Sequence, residues 1–107
     1  MLNRNLPPLN SLVAFIAVAK HLSFSKAAES LIVTHSAISQ QIKLLENYLG
    51  KPLFVREHAK ISLTEEGRRY NDEVSFSIER IYAASQRIKN KSLGRITVNV
   101  MSTLAIQ

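Results

Sequence analysis

Residues 24–49 (FSKAAESLIVTHSAISQQIKLLENYL) constrain the fold more than any other stretch, because two helical patterns meet there across a break only a few residues long. Ile38, Ile42, Leu45 and Leu49 recur at spacings of four, three and four, which aligns them as one apolar stripe on a 3.6-residue period. Ser36, Ser39, Gln40 and Lys43 fall on the other side, rich in hydrogen bonders and without an acid. A helix divided in this way docks its apolar side on a small core and presents the polar side to base edges. The pattern implies a helix-turn-helix.

The flanking sequence supplies the rest of a small domain. After the break at Pro7 and Pro8 a helix is expected from about residue 9 to 20, with Leu9, Leu12, Ile16 and Ala19 on its apolar face and Val13 and Phe15 widening it. Ser23 suits the N-cap of a second helix over residues 24–31, where Ala27, Ala28 and Leu31 are the buried positions. Thr34 caps the third helix, and Gly50 followed by Pro52 stops it. Ile32, in the inter-helix turn, implies a turn that avoids positive φ there, since a β-branched side chain disfavours it. From Leu53 the period shifts to two. Residues 53–56 and 61–63 read as a β-hairpin around Glu57-His58-Ala59-Lys60, a turn without Gly, Asn or Asp whose type is open.

Thr64 then caps a long helix to about residue 89, with Glu65 and Glu66 at its positive end and Arg87, Lys89 and Lys91 at its negative end. Along it Val74, Ile78, Ile81, Ser85 and Ile88 alternate spacings of four and three, a heptad-like seam. A domain of some 60 residues cannot cover such a seam by itself, so a second copy of the helix is its expected partner. Beyond Leu93-Gly94, residues 95–100 alternate at period two and read as the first strand of another domain. The expected organisation is a helix-turn-helix domain with its hairpin at 1–64, a dimerisation helix at 65–91, and the start of a further domain at 92–107. The fold class is mainly α: three helices and a small hairpin wing, followed by the long helix.

Charge narrows the function. Lys plus Arg number 14 against 8 Asp plus Glu, a net +6. Residues 1–64 hold seven basic and three acidic side chains and the remainder seven and five, so the excess lies mainly in the helix-turn-helix part. That is the footprint of a phosphate-binding surface, although an anionic membrane or acidic protein would also be attracted. The absence of Cys excludes a disulfide framework and thiolate metal ligation. No signal-length or membrane-length apolar run occurs, so a soluble cytoplasmic protein that does not engage membranes is expected. His21, His35 and His58 are too scattered for a metal site, and Ser36 beside His35 is no catalytic pair because adjacent helical residues diverge. Glu65 with Glu66 and Asp72 with Glu73 suit a helix N-terminal half and solvent. An enzyme is not expected.

With these residues in place, 9–91 resemble the DNA-binding half and linker helix of LysR-type transcriptional regulators. The resemblance is carried in order by Ser-Phe-Ser-Lys-Ala-Ala from Ser23, Ser-Ala-Ile-Ser-Gln-Gln-Ile from Ser36, Leu-Glu-x-x-Leu-Gly-x-Pro-Leu-Phe from Leu45 and Leu-Thr-Glu-Glu-Gly from Leu63. The Pro-Leu-Asn opening and His-Leu-Ser-Phe look closest to the branch that includes glycine-cleavage and β-lactamase regulators. The resemblance makes 1–64 a winged helix-turn-helix, 65–91 a linker helix and 92–107 the start of an effector-binding domain, and it implies a homodimer through antiparallel linker helices, often a tetramer at full length. It also implies binding to an interrupted inverted repeat in promoter double-stranded DNA. No cofactor is implied within this chain, whereas full-length relatives bind a small-molecule inducer. His35 departs from the Gln that many members carry at the start of the recognition helix, which leaves that base preference open.

The residues expected on DNA are Ser23, Ser25, Lys26, Thr34, His35, Ser36, Ser39, Gln40, Lys43 and Arg56. Gln40 suits adenine, Lys43 guanine or a phosphate, and Ser discriminates little. The bland reading of Ser36, Ser39, Gln40 and Lys43 is a solvated helix face. For Thr34 and Ser23 it is helix capping, and for Ser25 and Lys26 it is exposure to solvent beside the backbone crossing the groove. Arg56, His58 and Lys60 are ordinary turn residues or a wing reaching phosphates or a narrow minor groove. Glu57 among them repels phosphate, which suits a wing that positions rather than reads. The seam residues Val74, Ile78, Ile81, Ser85 and Ile88 are the expected dimer contacts. A protein-docking winged helix is the competing class. It would place apolar anchors or acids where this chain has Ser, Ser, Gln and Lys.

Overall fold

The computed structural model describes residues 5–90. Helices α1 (Leu9–His21), α2 (Phe24–Leu31) and α3 (His35–Leu49) come first. Strands β1 (Phe54–Glu57) and β2 (Lys60–Leu63) and helix α4 (Glu65–Lys89) follow. The break at Leu93-Gly94 and the strand expected over 95–100 lie outside the described residues. No described helix is long and apolar enough to cross a membrane.

Local chemistry sets the helix limits. Ser23 Oγ accepts the Lys26 N–H at 3.0 Å, Thr34 Oγ1 the Ala37 N–H at 3.0 Å, and Thr64 Oγ1 the Gly67 N–H at 2.9 Å. Each satisfies a first-turn donor that would otherwise be unpaired, a contribution of about 1 kcal/mol. The core is built from Ala14, Phe15, Ala17 and Val18 of α1, Phe24, Ala27 and Ala28 of α2, Ile38, Ile42 and Leu45 of α3, and Leu53. Leu31 and Leu49 pack partly buried against it.

The face of α1 differs from the expected one. Leu9 is 59% exposed, and Leu12, Ile16 and Ala19 are only half-buried, whereas Ser11, Ala14, Phe15 and Val18 are closed off. This helix is apolar around most of its circumference, so periodicity cannot choose a face, and packing between α2 and α3 does. Burying Ser11 is made tolerable by its hydroxyl, which donates to Gln41 Oε1 at 2.6 Å.

The helix-turn-helix break also corrects the reading of Ile32, which adopts φ 57, ψ 52. Its N–H donates to the Glu29 carbonyl at 3.2 Å, and the Val33 N–H donates to the Ala28 carbonyl at 3.0 Å. This is a Schellman ending, which needs a left-handed residue at that place whatever side chain is present. Closing the end of α2 outweighs the steric strain on Ile32. Because that side chain is 90% exposed, it adds no packing in return. Ile32→Gly should therefore raise stability by about 1 kcal/mol, the strain relieved less the entropy of a freer unfolded chain. Thermal unfolding followed by circular dichroism measures it, and a lower midpoint would show that Ile32 is not strained.

The hairpin keeps the expected register, Arg56 opposite Ile61, but each strand runs one residue further into the turn, through Glu57 and from Lys60. Its turn is the pair His58-Ala59, both at positive φ (52 and 64), which is the two-residue I′ geometry usually given to Asn-Gly. Phe54 pairs with Leu63, Val55 with Ser62, Arg56 with Ile61 and Glu57 with Lys60. Period-two alternation thus puts Phe54 and Arg56 on one face of the wing. The wing is fastened to α3 by Glu46, whose Oε2 accepts the Leu53 and Phe54 N–H groups at 2.7 and 3.3 Å.

Helix α4 starts against the domain at Gly67, and in its far half only Gln86, 7% exposed, is closed off. Tyr70 packs on Phe15, ring centroids 5.6 Å apart, and burial raises its phenol above the ordinary 10.0, with Tyr48 adding to the rise. Continuing the same stripe of α4, Val74 and Ile78 are half-buried, while Ile81 is 60% and Ile88 76% exposed.

Candidate nucleic-acid interface

The polar side of α3 faces outward as the spacing requires. Ser36, Gln40 and Lys43 are exposed, and Asn47 extends their stripe by another four residues. Asn47 was legible in the same spacing, and sequence reasoning stopped one step short of it. Ser39 is half-buried on the edge nearer the wing, and Thr34 is exposed, its side chain engaged as the cap of α3.

Two open concavities run along the junction of α2, α3 and the wing. The larger, about 460 Å³, is bordered by Ser23, Ser25, His35, Arg56 and Lys60. The smaller, about 360 Å³, is bordered by Ser39, Lys43, Glu46 and Arg56. Phe24 lines both. The structure thus brings Ser23, Ser25, His35, Ser39, Lys43 and Arg56 together. Ser36 and Gln40 lie on the outer face of α3, and Lys26, exposed on α2, borders neither hollow. Lys60 and His35 add cationic or protonatable groups to the larger hollow.

Phe24 was not foreseen as more than the start of α2. Its ring, 9% exposed, meets Phe54 edge-on with centroids 6.1 Å apart, and Phe54 meets Phe15 at 5.5 Å. The His35 ring lies 5.8 Å from it at 32°, and the Arg56 guanidinium carbon stands 4.4 Å from its centroid. The remaining negative charge nearby, Glu46, is occupied by the backbone of the wing. Among the described residues Arg56 has no carboxylate partner. The surface therefore offers cations and hydroxyls around an aromatic floor, with the amide and hydroxyls of α3 alongside, a combination suited to a polyanion with readable edges. On the apolar stripe of α4, Ser85 Oγ donates to its own helix at the Ile81 carbonyl, 2.9 Å, so the stripe presents chiefly carbon.

Three helices with a hairpin wing, and a polar second helix of the motif turned outward, define a winged helix-turn-helix domain. The model of the lysR family of bacterial regulatory helix-turn-helix proteins matches residues 9–68. The glycine cleavage system transcriptional activator of Escherichia coli (strain K12) is 42% identical over 106 residues, 98% of this chain and 35% of that protein. The transcriptional activator AmpR of Citrobacter freundii is also 42% identical over 106 residues, 98% of this chain and 36% of its own length. Among solved structures, the BenM DNA-binding domain bound to benA site 1 DNA superposes with a TM-score of 0.73 at 28% identity, covering 82% of this chain and 99% of that one. The CbnR DNA-binding domain in its DNA complex gives 0.70 at 29%, covering 79% and 98%. The chain belongs to the lysR family, and it carries that family's DNA-binding domain. It spans about a third of the length of the curated relatives it matches.

Proposed function

We propose that this chain binds an interrupted inverted repeat in promoter DNA as a homodimer, placing α3 of each copy in the major groove and its wing along the flanking backbone. The protein is then a cytoplasmic transcriptional regulator rather than an enzyme. Control by a small-molecule inducer, and tetramer formation, belong to the protein as a whole. One observation carries the reading: an acid-free polar stripe, Ser36, Gln40, Lys43 and Asn47, lies exposed beside an arginine with no carboxylate partner among the described residues. A docking module for another protein would bury apolar anchors there. What supports the dimer is the α4 stripe, which leaves Ile81 and Ile88 in water.

The test separates base reading from charge. On a duplex recovered by selecting bound fragments from source genomic DNA, Gln40→Ala should cost about 1–3 kcal/mol and leave mixed-sequence DNA nearly unaffected. Lys43→Ala should weaken both and lower the slope of log K against log salt by about one, if it neutralises one phosphate. Fluorescence anisotropy in rising salt reads both. Equal losses for Gln40→Ala on the two duplexes would make it a backbone contact, and no change from either variant would turn α3 away from DNA.

A further inference from the structure

We propose that Phe24 is the positioning residue for Arg56, holding its guanidinium flat at the junction of the two concavities so that its edge meets a DNA backbone phosphate beside α3. The inference rests on the DNA-binding reading above and specifies how the wing takes part in it. The wing turn is two residues long and is flanked by Glu57 and Lys60, opposite one another across the strands, so their charges offset at the tip. The cation that matters sits one residue back, on the face of β1 that looks toward α2 rather than outward along the hairpin.

There the Arg56 guanidinium carbon lies over the Phe24 ring, 4.4 Å from its centroid, and that ring is itself clamped against Phe54 and, through it, Phe15. A planar cation resting on an aromatic face keeps its in-plane N–H donors free, and those donors match two phosphate oxygens at once. Among the described residues no carboxylate pairs with Arg56, and Glu46 is committed to the Leu53 and Phe54 amides. Ser23, Ser25 and His35 border the same hollow and Lys43 the adjoining one, so a backbone strand crossing from one to the other passes over the guanidinium edge. An unstacked arginine on a bare strand would have many more orientations to lose on binding.

The experiment is a double-mutant cycle read with a labelled mixed-sequence duplex in rising salt. Phe24→Leu should weaken binding about threefold to fivefold with the salt slope unchanged, because the charge stays but its orientation is lost. Arg56→Ala should weaken it more and lower the slope by about one. In the Arg56→Ala background, Phe24→Leu should have no further effect. Since Phe24→Leu also thins the core, Arg56→Lys supplies a second arm on an exposed residue: its loss should be present with Phe24 and vanish with Leu there. In the free protein, the ring-current shifts of the Arg56 side-chain protons should disappear in Phe24→Leu while helicity is kept. Equal losses from Phe24→Leu with and without Arg56 would overturn the positioning role alone. An Arg56→Ala variant with unchanged affinity and slope would overturn the docking of the wing and this proposal with it.

Discussion

Ile81→Asp should leave the chain monomeric and lower its affinity for an inverted repeat toward that for a half-site, a loss on the order of 10²–10⁴-fold. The size follows from linkage: once one copy is bound, the second half-site is met at high effective concentration, and a monomer forfeits that gain without losing any contact of its own. Ile81 is 60% exposed, so the substitution leaves the core of its own domain untouched. In the proposed seam, with Val74, Ile78, Ser85 and Ile88, an Asp carboxylate would be desolvated with no cation on that stripe to meet it. Removing the exposed isoleucines from water contributes roughly 1.5–3 kcal/mol per fully buried side chain. Sedimentation, with helicity followed by circular dichroism, is the measurement. A folded variant that stays dimeric and binds the full repeat as before would place the interface elsewhere, with the partly exposed Leu9, Leu12 and Val13 face of α1 the next to test.

Gly67→Ala should destabilise the domain by about 2 kcal/mol, although the same change in an exposed helix would stabilise it by about 1 kcal/mol. A Cβ at Gly67 would fall on the Leu53 carbonyl oxygen, inside any contact real Cβ atoms make, and 3.1 Å from Leu63 Cδ2. That oxygen cannot retreat easily. It accepts the Thr64 N–H at 3.0 Å, the neighbouring Pro52 carbonyl accepts the Thr64 hydroxyl at 2.9 Å, and the Leu53 N–H is held by Glu46. The strain therefore spreads into the α4 start and the root of the wing, which carries Arg56. A fall in melting temperature of about 10 °C is expected for a domain of this size. Weaker DNA binding should accompany it even where the domain remains folded. An unchanged or raised midpoint would mean that α4 moves off Leu53 freely.

The Gly67 contact shows why parts of this protein are legible from sequence and others are not. Ser23, Thr34 and Thr64 determine where α2, α3 and α4 begin, because a cap needs only a hydroxyl and an amide three residues on. The outward stripe of α3 is equally local, since helical spacing and opposite chemistry define it before anything is packed. Tertiary structure decided the rest. It chose the buried face of α1, where apolar residues on nearly every side leave the pattern mute. It also drove Ile32 into the left-handed region, because the hydrogen bonds ending α2 outweigh the preference of one side chain. It gave Gly67 its purpose by laying α4 on a carbonyl fourteen residues earlier. And it set Arg56 on Phe24, thirty-two positions apart, by folding the hairpin back on α2 across a tight turn that no local signal marked, since His58-Ala59 lacks the residues usual there. Sequence fixes what nearest neighbours along the chain can satisfy; contacts across the fold are settled only when the whole core closes.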